Sequence, residues 1–237
     1  MNQALKEIGQ CASALFELFF PRICEACGDP LYENEKAICK ACLRKLPRTG
    51  FERNPYDNSL GQLLWGRSRV ETACAMFYYR KGETVQSLLH ALKYKGYTEI
   101  GLELGRKLGA LMKSNGYPPF DVIVPVPLHP KKYRIRGYNQ SEVIAKGMSE
   151  RLNIPVDCTN LHRTKHTTSQ TSKGRFERWE NVDGLFGLHD PDKYLGCHLL
   201  LIDDVTTTGA TLEACIQPLN KVPYSKVSIA TIGCTYL

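Results

Sequence analysis

The chain has no stretch of 18 or more apolar residues, so its sequence offers no membrane-spanning helix. Internal repeats and low-complexity tracts are missing as well. Negative charge is in deficit: 24 acidic residues stand against 31 lysines and arginines, a formal net charge of +7. That excess fits an anionic partner, such as a phosphorylated metabolite or a nucleic acid, and fits a solvated basic surface equally well. Hydrophobic residues make up 43% of the 237 positions and charged residues 23%. Such a chain can bury a sizeable core in one or two domains. It is neither disordered nor collagen-like, nor a mini-protein stapled by disulfides.

A continuous apolar stretch of the kind found in signal peptides is also lacking at the start. Lys6, Glu7 and Glu17 interrupt the apolar residues there. Ala4, Ile8, Cys11, Leu15 and Leu18 or Phe19 recur instead at helical spacing. This predicts a short amphipathic helix ending before Pro21. Its apolar face packs on the protein itself, or docks a partner or a membrane surface.

Ten cysteines are present. Cys24, Cys27, Cys39 and Cys42 form two CxxC pairs, whereas Cys11, Cys74, Cys158, Cys197, Cys215 and Cys234 are scattered singly. Scattered cysteines among apolar residues read as small buried hydrophobes, and paired ones read as a metal site. A reducing cytoplasm is therefore the expected compartment. Two residues between cysteines let both thiolates face one ion, and Gly28 frees the backbone just after the first pair. Four soft thiolates select zinc and leave no open coordination position, so the site is structural. An iron-sulfur cluster and a redox CxxC are the weaker readings. Lys40, Arg44, Lys45 and Arg48 flank the second pair and could give the module a basic face.

Domain organisation follows from composition. Residues 1–50 read as helix and zinc module. Residues 51–70, rich in Pro, Gly, Asn, Asp and Ser, read as a linker. Residues 71–237 read as an α/β domain. In that domain strands are expected at Ala73–Tyr79, Asp121–Val126, Val156–Leu161 (weaker), His198–Ile202 and Lys226–Ile232. Helices are expected at Glu83–Tyr94, Thr98–Lys113, Ser141–Leu152 and Thr211–Asn220. Alternation of this kind, with an almost wholly apolar strand at His198–Ile202, predicts a doubly wound, mostly parallel sheet. Ligands of such sheets bind beyond the carboxyl ends of the strands.

The segment Leu199–Thr211, LLLIDDVTTTGAT, carries the most information. An apolar strand delivers Asp203 and Asp204 at its carboxyl end. A run of hydroxyls and Gly209 then opens a helix. Successive amides and a helix N-terminus cradle an anion, and two acids above it suit hydroxyls or a magnesium ion. Those are the features of a ribose 5-phosphate. A P-loop is excluded, since no Gly-Lys-Ser/Thr follows. The segment resembles the thirteen-residue phosphoribosyl pyrophosphate (PRPP) motif of type I phosphoribosyltransferases. That resemblance gives Asp203 and Asp204 to the ribose hydroxyls. It gives Thr206, Thr207, Thr208, Gly209, Ala210 and Thr211 to the 5-phosphate.

Two further segments fit that plan. Lys131, Lys132, Arg134 and Arg136 lie in a basic loop without an acid, where type I enzymes bind pyrophosphate. His129 beside it is either part of the site or a loop histidine without a chemical task. The loop from Leu161 to about Trp179 carries five basic residues against one Glu and is long enough to be a lid or a disordered segment. Lys165 or Arg163 is the candidate for a charge that stabilises departing pyrophosphate. A solvated basic loop is the plain alternative.

Together the leading CxxC pairs, PVPLHPKK followed by RGYNQ, the loop containing TKHTTSQ, and LLLIDDVTTTGAT resemble the ComF (ComFC) competence family. The resemblance spans about Pro21 to Leu237. It implies a cytoplasmic protein that helps bring single-stranded transforming DNA into the cell beside a helicase, with PRPP and Mg2+ at the phosphate site. It leaves open an active phosphoribosyltransferase with an unread acceptor, whose specificity would come from Lys93–Gly96 and the preceding helix, and a PRPP sensor without catalysis. The N-terminal nucleophile of a glutamine amidotransferase is absent from this sequence.

Overall fold

The structure, a computed structural model, describes residues 21–164 and 184–235. The predicted N-terminal helix, Lys165 and Trp179 lie outside those residues. The chain divides into two compact units, Met1–Leu46 and Pro47–Leu237.

In the first unit each CxxC sits where the chain turns back on itself. Cys24 donates its N–H to Asp29 O (2.7 Å) and accepts from Gly28 N (2.8 Å), while Gly28 takes the left-handed φ of 79° that closes the turn. The second pair straddles the start of helix α1 (Lys40–Lys45), whose N-cap is Cys39. Ile38, Leu43 and Leu46 are buried beneath it. Lys40, Arg44 and Lys45 are exposed.

In the second unit four parallel strands form one sheet in the order β1 (Ala73–Tyr78), β6 (Lys226–Cys234), β5 (His198–Thr206), β2 (Val122–Pro125). Leu199, Leu200, Leu201 and Ile202 of the central strand are completely buried, as a parallel strand covered on both faces requires. The helices are α2 (Ser59–Gln62), α3 (Thr84–Tyr94), α4 (Thr98–Ser114), α5 (Pro130–Arg136), α6 (Gln140–Leu152) and α7 (Ala210–Asn220). Leu212, Cys215, Ile216 and Leu219 of α7 join Leu199 and Leu201 in one apolar cluster.

Three expectations need correction. Val156–Leu161 is not a strand: Val156 makes one parallel bridge to Ile123, and the chain then turns. The Asp157 carboxylate causes the turn by accepting from Thr159 N, Thr159 Oγ1 and Asn160 N at 2.8–3.2 Å. Leu161–Arg163 is β3 of a separate antiparallel pair with β4 (Phe186–Leu188). Residues 51–70, expected as a linker, hold a 3-10 turn at Phe51–Arg53 and helix α2, and bury Phe51, Leu60 and Leu64 in the domain core. The basic loop is helix α5: Pro130 starts it, His129 caps it by accepting from Lys131 N (3.1 Å), and left-handed Gly137 ends it. Among the scattered cysteines, Cys74, Cys215 and Cys234 are buried, whereas Cys158 is exposed and Cys197 is partly so.

Helices α4 and α6 approach unusually closely. Gly101, Gly105 and Gly109 line one face of α4, and Gly147 faces them from α6. A Cβ at Gly105 would fall within the radius of the Ile144 carbonyl oxygen, and one at Gly147 within that of Leu102. Arg106 also grips Glu150 with two hydrogen bonds, of 2.6 and 3.1 Å. The Gly105→Ala variant is expected to lose about 1–3 kcal/mol by forcing the backbones apart. Gly61→Ala, where a Cβ would meet only Ala73 Cβ at 3.6 Å, should be neutral or better. Urea midpoints compare them, and equal values would show that the contact is not close.

Candidate functional site

A cleft of about 210 Å³ opens at the carboxyl ends of β2 and β5. Asp203 and Asp204, at the end of β5, form its floor and are buried (8% and 4% exposed). Asp203 Oδ1 accepts from Ser141 Oγ (3.0 Å) and from the Asp204 amide (2.8 Å). Asp204 Oδ1 accepts from Val205 N (2.8 Å), and its Oδ2 pairs with Lys93 Nζ at 2.5 Å. Burial, followed by the neighbouring Asp204 carboxylate, pushes the Asp203 carboxyl well above the usual carboxylate range.

Beyond β5 the chain runs through Thr207 and Thr208 to Gly209, which has φ 78° and caps α7 without a side-chain bond. Leu63 and Leu64 pack against Gly209 so closely that a Cβ there would meet them at 3.0–3.2 Å. The loop is further tied down by Thr235, which donates its amide to Thr206 O and its hydroxyl to Thr207 O, both at 3.1 Å. Thr206 Oγ1 is buried without a hydrogen-bond partner. The first amides of an 11-residue helix thus face a fixed loop with no side chain capping them, which is the geometry of an anion cradle.

Helix periodicity divides the four charges of α5. Lys132 and Arg136, four apart, line the cleft, whereas Lys131 and Arg134 do not; Lys131, Lys132 and Arg134 are exposed. Arg163 lines the cleft from β3, its guanidinium 4.7 Å above the Phe186 ring. Of the residues expected to hold a 5-phosphate, Thr211 lines the cleft, Thr207, Thr208 and Ala210 are exposed, and Gly209 is buried.

Every residue of RGYNQ has an observable task. Arg136 donates to Gln140 Oε1 (2.8 Å) and to Tyr94 OH (3.2 Å). Gly137 makes the left-handed end of α5. Tyr138 donates its hydroxyl to Leu92 O. Asn139 caps α6 through Ser141 N (3.1 Å) and donates to Val126 O (2.9 Å), which docks the helix on the end of β2. Ser141 escapes the sequence reading; Lys93, expected with residues to Gly96 to set acceptor specificity, is found paired with Asp204. The glycine-then-asparagine spacing of a helix stop and start is the signal that could have placed Ser141.

In the first unit the Cys24, Cys27, Cys39 and Cys42 sulfurs all lie within 4.8 Å of one another. Cys27 Sγ and Cys39 Sγ are 3.9 Å apart, against about 3.8 Å for a tetrahedral zinc site with bonds of about 2.3 Å. Burial raises the Cys24 thiol, but amides of Cys39, Ala26 and Cys27 outweigh it and lower it to about 7. The donor set fits a metal ion. Glu35, which the sequence reading missed, accepts from Lys40 N (2.7 Å) and Tyr32 N (3.0 Å) and clasps the segment between the pairs.

Residues 139–233 match the phosphoribosyl transferase domain family. Over 213 residues the chain is 29% identical to DNA utilization protein YhgH of Salmonella typhi, covering 85% of this chain and 92% of that protein. Competence protein F of Haemophilus influenzae is 24% identical over 89% of this chain and 96% of its own length. Competence protein ComFC of Bacillus subtilis is 26% identical over 81% and 68%. The chain is similar to these proteins over most of its length. Its fold is that of a type I phosphoribosyltransferase with a small four-cysteine module. Among solved structures, the glutamine PRPP amidotransferase of B. subtilis aligns with a TM-score of 0.39 at 17% identity, over 55% of this chain and 25% of that enzyme. Among the described residues, no helix is long and apolar enough to cross a membrane.

Two outcomes are expected. Glu35→Ala should release metal to a chelator about tenfold faster, as loss of a supporting contact typically does, and an unchanged rate would leave the clasp without a role. At pH values above the ordinary 3.8 of Asp203, the folded chain keeps a proton that the unfolded chain has lost. Stability therefore falls as pH rises from there through the raised folded value. Asp203→Asn should remove that slope and be more stable than the parent at about pH 8. Urea midpoints that fall in parallel for both proteins would contradict this assignment.

Proposed function

We propose that the cleft binds PRPP, and that the protein assists uptake of single-stranded transforming DNA in the cytoplasm beside a helicase. The observation that carries the ligand is the meeting of opposite charges in one cleft. Asp203 and Asp204 offer acceptors to ribose hydroxyls. The loop Thr206–Thr211 and the open amides of α7 suit the 5-phosphate. Lys132 and Arg136 stand where a diphosphate needs cations. Mg2+ would accompany the diphosphate as its counter-ion. Zinc is the proposed occupant of the four-cysteine cluster, as a structural ion without an open position. The DNA role is supported by the names of the homologues and by the net charge of +7.

An active phosphoribosyltransferase is the second reading, favoured by Arg163. Its Nε is buried without a hydrogen-bond partner, and the side chain lines the cleft. In that reading an acceptor nucleophile bonds to C1 of the ribose as the C1–O bond to pyrophosphate breaks. The arginine then stabilises the charge that leaves. Lys165 shares this proposed role from outside the described residues.

Calorimetric titration with PRPP and Mg2+ is the test. The parent should bind, and Asp204→Asn should lose at least tenfold in affinity. Lys132→Ala should lose about tenfold, as expected for one charge-assisted bond. No heat from a folded, metal-loaded parent would overturn the ligand assignment. Release of pyrophosphate on addition of a nucleobase or an amine would select the transferase reading over binding alone.

A further inference from the structure

At the opposite end of the sheet, the strands β1 and β6 begin. There a groove of about 850 Å³ runs between the segment preceding β1 and the turn preceding β6. Two aromatic side chains stand in it, Trp65 (63% exposed) and Tyr224 (88% exposed). Arg69, Lys221 and Lys226 line the same groove, and among the described residues Glu71 is the one acid in its lining, 3.9 Å from Lys226 Nζ. Because all four strands of the sheet are parallel, this groove and the Asp203–Asp204 cleft lie at opposite strand ends.

Tyr224 is the informative residue. It holds φ at 60°, in the left-handed region that glycine occupies without cost and a side chain does not. Its neighbours fix that geometry. Ser225 Oγ shares its one proton between Leu219 O (2.8 Å) and Val222 O (3.0 Å), and Gly196 N donates to Pro223 O (3.2 Å). The turn is thus held by groups other than the Tyr224 ring, which is almost wholly exposed. The fold gains nothing from an aromatic residue here and bears its backbone strain. Trp65 is similar: Leu64 before it is fully buried and Gly66 after it turns at φ 74°, leaving the indole outward. Arg69 is anchored beside it, with Nη2 donating to Asn220 O (3.1 Å) and its own carbonyl accepting from Asn220 Nδ2 (3.1 Å).

We infer that this groove binds single-stranded DNA, with Trp65 and Tyr224 stacking on unpaired bases and Arg69, Lys221 and Lys226 meeting the phosphates. Exposed aromatic faces spaced along a cationic groove are what an unpaired, polyanionic strand recognises. Base pairs stacked in a duplex would present no free faces to them. The inference shares the DNA ligand with the proposed function but does not rest on the PRPP site.

The test measures binding of fluorescein-labelled oligo-dT to the full chain by anisotropy at several salt concentrations. Tyr224→Gly should bind about tenfold more weakly while its melting temperature stays equal or rises, since glycine relieves the strain. That opposite movement separates a ligand contact from a folding role. Lys221→Gln should weaken binding and lower the salt slope by about one unit. In a Trp179→Phe background, oligo-dT should quench the remaining Trp65 fluorescence. Asp204→Asn should keep the DNA affinity of the parent, so that loss of PRPP binding and loss of DNA binding report on different sites. Parent-like oligo-dT affinity in Tyr224→Gly would overturn the inference. So would an affinity lost only in Lys131→Ala and Arg134→Ala of α5, or tighter binding of oligo-rU than of oligo-dT.

Discussion

Two adjacent carboxylates buried at the end of an apolar strand dictate much of what surrounds them. Water solvates ionised acids far better than a protein interior does, so Asp203 and Asp204 persist only where other groups replace that solvation. Ser141 does this for Asp203 and Lys93 for Asp204. Removing one partner of a buried ion pair such as Lys93–Asp204 typically costs about 3–5 kcal/mol, because a charge is left buried alone. Lys93 belongs to α3 and Ser141 to α6, so both helices are committed to fixed places. The last turn of α3 is pinned by the Tyr138 hydroxyl at Leu92 and by Arg136 over Tyr94. The first turn of α6 is pinned by Asn139 at Val126, and its body by the glycine contacts with α4. The site and the second layer of the fold thus depend on the same contacts.

Charge of both signs within one small cleft narrows what it can hold. An uncapped helix end carries roughly half a positive charge, and Lys132, Arg136 and Arg163 add whole ones. Without an anion these groups repel one another, and among the described lining residues Asp203 and Asp204 are the acids that face them. A ligand that is anionic at two points and hydroxylated between them would neutralise the cations without displacing the acids from hydrogen bonding. A plain dicarboxylate or a single phosphate would satisfy one half and leave the other open. The matching is electrostatic, and therefore steepest where water is excluded.

The central strand was legible because parallel strands buried on both faces have no polar alternation to disguise them, and LLLIDD ends where the apolar run ends. The helix over Glu83–Tyr94 was legible for a similar reason: Val85, Leu88, Leu89 and Leu92 all fall on its buried face. The helix at Pro130–Arg136 was hidden because it buries nothing, so it has no apolar period to read. Its caps, His129 and Gly137, were the visible signal. Residues 51–70 misled in the opposite way: turn-forming composition masked Leu60 in α2 and Leu64 in the turn after it, both fully buried. Lys93 could not be ranked from sequence, since its importance arises from a contact with a residue more than a hundred positions away. Glu35 is invisible for a different reason, because it serves backbone amides rather than side chains.

A distinction runs through these residues between those that the fold requires and those that it merely tolerates. Gly137, Tyr138 and Asn139 each satisfy a helix end or a docking contact, and their presence needs no ligand to explain it. The buried acid pair, the helix start at Gly209 without a side-chain cap, and Tyr224 at a left-handed φ all run against stability. Local choices that conflict with the fold mark functional positions, since a chain selected for stability alone would have replaced them. Two of these conflicts meet at the carboxyl ends of the strands, and the third lies at the amino ends. One sheet thereby joins two regions at opposite ends, and the proposed ligands account for side chains there that the core between them does not.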